Sequence, residues 1–109
     1  MTATVTLLSN AAATAGDKTA VAVGGKTPFL PGRKARVIFN AVGQTGTAPA
    51  WAVDGSDDNS TWTADIATSA IAAGEEAKEV TCYKYMRASV TTAAGTDAGT
   101  LTVRLEGIG

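Results

Sequence analysis

The stretch Trp51-Ala-Val-Asp-Gly-Ser-Asp-Asp-Asn-Ser-Thr-Trp-Thr63 constrains the fold of this chain more than any other. Two strand-like arms, each carrying a Trp, flank a cluster of Asp, Gly, Ser and Asn. Gly55 tolerates φ > 0, and Asp54, Ser56, Asp57 and Asn59 can bond their own backbone through short side chains. An apolar arm, a turn cluster and a second aromatic arm predict a β-hairpin with a tight polar tip. A Trp at each base offers a large apolar surface to bury against a second layer of structure, and the reading assigns Trp51 and Trp62 to the core.

The remaining segments extend the pattern. Thr2 to Ser9 alternates, with Val5 and Leu7 on one face, as a strand does. Asn10 to Asp17 reads as a small-residue loop, and Thr19 to Val23 as a short strand ended by Gly24-Gly25. Pro28 and Pro31 bracket Phe29-Leu30; each Pro removes a ladder donor, so this segment is an edge or a connection. Arg33 to Val42 places Ala35, Val37, Phe39 and Ala41 on one face. Ala50–Asp54 and Thr61–Ile66 are the arms of the hairpin, residues 68–78 read as a loop, and Glu79–Tyr83 as a short strand. Tyr85–Thr92 and Thr100–Gly107 alternate most cleanly, with Met86, Ala88 and Val90, then Leu101, Val103 and Leu105, turned inward. About eight short strands with almost no helix predict an all-β antiparallel β-sandwich or jelly roll. At 109 residues, with no visible linker or repeat, residues 1–109 form a single domain in this reading.

Composition narrows the function. A net charge of −1 gives no basic stripe for nucleic acid or anionic membrane. No apolar run approaches the roughly 20 residues of a membrane span, and Met1 to Ser9 lacks the basic and apolar regions of a signal peptide, which implies synthesis in the cytoplasm. Cys82 is the only cysteine and there is no His, so it reads as a small buried hydrophobe. Asp54, Ser56, Asp58 and Asp65 mimic the alternating ligands of a calcium loop, but Asn59 stands where the turn Gly belongs and the closing carboxylate falls within a strand. A solvated turn is the reading, with no metal or cofactor. Glu75-Glu76 and Asp57-Asp58 are sequence neighbours in loops and not carboxyls held apart across a cleft, so no enzyme is expected. Trp51, Trp62, Tyr83 and Tyr85 are the alternative, a sugar-stacking platform. Arg33, Lys34 and Arg36 form the basic cluster, which suits either an acidic partner surface or a charged strand end in water.

Val53-Asp-Gly-Ser-Asp-Asp-Asn-Ser-Thr-Trp-Thr63 and Tyr83-Lys-Tyr-Met-Arg-Ala-Ser-Val-Thr91 together resemble small β-sandwich virion proteins of tailed bacteriophages. In those chains a Gly-Ser-Asn/Asp-Asp-Gly-Ser-Trp hairpin precedes a Tyr-x-Arg-x-x-Val strand. Here Gly55-Ser56-Asp57-Asp58 and Ser60-Thr61-Trp62 match the first element, with Asn59 in place of the usual Gly. Tyr85, Arg87 and Val90 match the second, and the resemblance covers residues 50–107. In size and style the chain is most similar to head decoration, or capsid cement, proteins. That implies a homo-oligomer, a trimer above all, on the capsid exterior, reinforcing contacts between major capsid subunits. The N-terminal strand 1–9, through Val5 and Leu7, or the segment with Pro28, Phe29, Pro31, Arg33, Lys34 and Arg36, would then reach the partner by β-augmentation. A carbohydrate-binding module and a tail or neck component of the same kind of virion are the alternatives.

Overall fold

A computed structural model describes residues 4–12, 14–24, 29, 31–47, 49–71 and 73–107. Nine strands run through them: β1 (Thr4–Ala12), β2 (Gly16–Asp17), β3 (Val21–Ala22), β4 (Lys34–Val42), β5 (Ala50–Ser56), β6 (Thr63–Ser69), β7 (Gly74–Thr81), β8 (Tyr85–Thr92) and β9 (Thr100–Gly107). No helix occurs among the described residues. The strands make two antiparallel sheets. Sheet A has the order β1-β9-β4-β7, and sheet B the order β2-β8-β5-β6 with β3 also on β8.

This order is a jelly roll. β2 meets β8 at Val90 and Ser89, and β3 meets it at Met86 and Tyr85, so the two short pieces act as one interrupted strand along one edge of β8. The chain is then a long hairpin folded on itself: β5 pairs with β6, β4 with β7, β2 and β3 with β8, and β1 with β9. The polar stretch between the two Trp residues forms the closed tip of that ribbon, because β5 and β6 are its innermost pair.

Alternation accounts for the strands at the sheet centres. On β4, Ala35, Val37, Phe39 and Ala41 are buried, and on β9 so are Leu101, Val103 and Leu105. Met86, Ala88 and Val90 of β8 meet them from the other sheet, with Trp51 and Val53 of β5. Each such large apolar side chain withdrawn from water stabilises the fold by roughly 1.5–3 kcal/mol. Trp51 also donates its indole Nε1–H to the Ile71 carbonyl at 2.8 Å, so its polar atom is satisfied inside the core. Cys82 is buried as well, and burial pushes its thiol pKa up.

The edges depart from expectation. β1 continues through Ala12, and β2 lies within the segment read as a loop. The start of β7 also falls where a loop was expected. Strand β5 runs on through Ser56, so the turn begins later than Gly55. Gly55 does not supply the positive φ of the tip; Asn59 does, at 59°. Asn is among the few side chains that tolerate this conformation, so the departure from the usual Gly keeps the turn. Gly55 matters through contact: a Cβ there would run into the Tyr83 ring. Gly55→Ala should therefore lower the unfolding free energy by about 1–3 kcal/mol, read from urea denaturation. An unchanged midpoint would mean that the Tyr83 ring is free to move away.

Candidate functional site

The tip is held by side chains that its own sequence supplies. Ser56 Oγ lies 2.6 Å from the Thr61 carbonyl and accepts the Asn59 backbone N–H at 3.0 Å. Asp58 Oδ1 accepts the N–H groups of Ser60 at 2.9 Å and Thr61 at 2.7 Å. These short-range bonds turn the chain within six residues and leave Trp62 facing sheet B. Trp62 is half-buried, and the guanidinium carbon of Arg87 sits 4.1 Å from the centre of its ring. The indole therefore stacks on a cation outside the core, a correction to the reading that placed both Trp residues inside.

Arg87 is the centre of this face. It stands directly opposite Asp54 in the β5–β8 register, and its Nε donates to Asp54 Oδ2 at 3.1 Å. Its Nη2 lies 3.0 Å from Asp17 Oδ2 on β2. The two carboxylates are held in turn: Asp54 Oδ1 accepts the Asp65 backbone N–H at 3.0 Å, and Asp17 Oδ1 accepts the Ser89 hydroxyl at 2.9 Å. Asp65 has φ 57°, beside a shift in the β5–β6 register, so Asp54 satisfies a backbone donor at an irregular point of the ladder. The Asp54 side chain is only 5% exposed and that of Arg87 20%. Together Asp17, Arg87, Asp54, Asp65 and Trp62 join β2, β8, β5, β6 and the tip. Asp54 and Asp58, read above as mimics of calcium ligands, are thus used within the protein. Among the described residues no group of three or more acidic or cysteine side chains is placed to hold a metal ion.

The outer face of sheet A is a grid of alternating charge. Glu106, Arg36 and Glu79 lie in one row across β9, β4 and β7. Arg104 bonds Glu75 at 3.0 Å and Glu106 at 3.3 Å. The Glu75 hydrogen bond leads in raising the Arg104 pKa. Ile38 lies opposite Arg104 and is buried although it faces outward.

The residues expected to reach a partner separate into two groups. Leu7 is 4% exposed and Phe29 1%, and both belong to the core, so neither side chain is free for a partner. Val5 packs against that core on β1 and stands opposite Leu105. From Thr4 onward the N-terminal strand is thus an integral edge of sheet A, not a free arm; residues 1–3 of the expected arm lie outside the described residues, and deleting residues 4–9 would remove most of β1 from β9. Pro28 lies outside the described residues. Pro31, Arg33, Lys34 and Arg36 are exposed at the start of β4, where Lys34 Nζ donates to Thr81 Oγ1 at 2.9 Å. Arg36 has Glu79 and Glu106 opposite it, so positive charge there is offset, and Arg33 and Lys34 remain the more available cations.

The aromatic platform is not assembled. Trp51 is in the core, Trp62 has Arg87 on its ring, and Tyr83 packs over Gly55. Tyr85 is half-buried, with Lys84 Nζ 6.0 Å from its ring centre. What the sequence reading missed is a cleft of about 530 Å³ between the β6 and β7 edges, lined by Trp51, Asp65, Thr68, Ser69, Glu76 and Lys78 among others. No motif marks it, because its walls come from strands of different sheets. No protein-family model matches the chain, and no curated protein matches it significantly.

The tip also makes a pH prediction. The Thr61 N–H, then the Ser60 N–H and the Ser56 hydroxyl, hold the Asp58 carboxyl below its ordinary value of 3.8. A lowered folded-state pKa stabilises the fold fully above the unfolded value and loses that stabilisation as pH falls through the folded one. Asp58→Asn should unfold at lower urea than the parent at pH 7, and the gap should close as the pH drops below 3.8. A gap independent of pH would show that the ionised carboxylate contributes nothing.

Proposed function

We propose that this chain is a structural virion protein that decorates the outside of a tailed-phage capsid and reinforces contacts between major capsid subunits. One observation carries the reading: the two short motifs behind the resemblance are a single physical unit. Trp62 of the Ser-Thr-Trp element lies on Arg87 of the Tyr-x-Arg element, and Asp54, next to Gly55-Ser56, takes the same guanidinium. Residues 25 and 33 sequence positions from Arg87 that meet in one clamp make a signature of architecture, so their joint occurrence supports kinship with the virion sandwiches. The jelly-roll strand order supports it too, since capsid proteins are among its common users. The sugar-binding alternative loses support because its aromatic faces are covered or dispersed.

On this proposal the subunits are homo-oligomeric, trimers in the simplest case, and meet the major capsid protein through the exposed start of β4. Pro31, Arg33 and Lys34 supply that surface, with Arg36 beside its two glutamates. Rim charges of this kind govern association rate and salt dependence more than the strength of the final complex.

The test is co-sedimentation with undecorated shells assembled from the same phage's major capsid protein. The parent should pellet with the shells to a fixed stoichiometry and raise their tolerance to heat. A double variant, Arg33→Glu with Lys34→Glu, should bind at least about tenfold more weakly, equivalent to about 1.4 kcal/mol. Failure of the parent to bind would overturn the function; equal binding by the variant would overturn only the proposed surface.

A further inference from the structure

We infer that Glu76 and Lys78 keep the β7 edge of sheet A from pairing with a second copy of this chain. The inference does not depend on what the protein decorates. A jelly roll is open at its sides, and each outer strand presents a row of backbone donors and acceptors to any passing strand. Sheet A ends in β1 and β7, and sheet B ends in β6 and in the pair β2 and β3. Three of these edges are broken by backbone geometry. β1 shifts register twice against β9, β6 shifts beside Asp65, and β2 and β3 are two residues each. Such bulges and short pieces cannot template a long regular ladder.

β7 has no such break. It pairs with β4 without a shift from Thr81 to Gly74, which leaves its other side a straight edge of eight residues. Its protection comes from side chains. Residues opposite each other in an antiparallel pair share a face. Glu76 stands opposite Phe39 and Lys78 opposite Val37, and both partners are wholly buried between the sheets. Glu76 and Lys78 thus start on the inner side of the sheet, while Glu75 reaches the outer face to bond Asn40 and Arg104. Their charged ends lie 3.6 Å apart, and their side chains are 40% and 45% exposed. The stems cover the core and the heads reach water through the open side, where they line the cleft with Trp51 and Ser69.

A second copy pairing along β7 would carry both sheets across the junction and close that opening. Each copy would then bury a carboxylate and an ammonium whose water the interface removes, and an ion pair is a poor substitute for that hydration. The alternation Glu-x-Lys-x-Val on an inner face, which hides the strand from a sequence reading, is the feature that defends it.

The test replaces the pair by residues that suit a strand, Glu76→Thr with Lys78→Val. The parent should keep a constant mass by light scattering across a concentration series. The double variant should reach at least twice that mass, with its β7 amides gaining protection from hydrogen exchange. The charge-swapped variant, Glu76→Lys with Lys78→Glu, should keep the parent's mass, as should Glu79→Val, which changes an outward residue of the same strand. If the double variant proves unstable, Lys78→Val alone provides the same readings. An unchanged mass in a folded neutral variant, or association without protection of β7, would overturn the inference.

Discussion

One guanidinium holds sheet B to the tip of the ribbon. Arg87 reaches Asp54 on the neighbouring strand, Asp17 on the short strand at the edge, and the Trp62 ring beyond the turn. Such a cluster is stable only if its hydrogen bonds repay the water that the charges lose. Asp54 is nearly covered, so its desolvation is the larger cost, and its two oxygens are offset by Arg87 Nε and the Asp65 N–H. The more exposed Asp17 costs less to place and contributes less. Removing one member of so covered a pair leaves the other charge buried without a partner, which typically costs about 3–5 kcal/mol. The same contact orients Trp62, whose indole would otherwise be a free apolar surface on an outer face.

The tip and the clamp together explain how a mostly small-residue chain selects one topology. A jelly roll is a hairpin of long reach: Thr4 meets Glu106, almost the whole described chain away. Closing the outer pairs alone is entropically costly, but each inner pair shortens the loop that the next must close. β5 and β6 are the innermost, and their turn is bonded by Ser56 and Asp58 within itself. The core then sets which face of each strand turns in. On the outside, sheet A carries the Arg104 ion pairs and sheet B the Arg87 cluster.

Strands with one buried face were legible in the sequence. β8 and β9 lie within the bounds that their alternation marks, and β4 begins one residue later than expected. β7 was not legible at its start, because an edge strand with Glu76 and Lys78 on its inner face has no apolar alternation to read. β2 is two residues of Gly and Asp, a composition that belongs to turns. Of the candidate site, the tip was visible as a turn, but the pairing of Asp54 with Arg87 is a matter of register between strands 33 residues apart. Leu7 and Phe29 illustrate the same limit from the other side. Alternation and flanking prolines describe their backbone, while only the sheet packed against them determines that they are buried. Trp62 shows that a large aromatic near a turn can be satisfied by a cation as well as by a core.

The measurement to make is a double-mutant cycle on the clamp, with Asp54→Ala, Arg87→Ala and the pair compared by urea unfolding. If the clamp holds the tip to the sheet, the two single losses will exceed the double loss through a coupling of about 1.5–3 kcal/mol. Losses that add to within about 0.5 kcal/mol would contradict the account, because the two charges would then contribute independently and the ribbon would be held by its core alone.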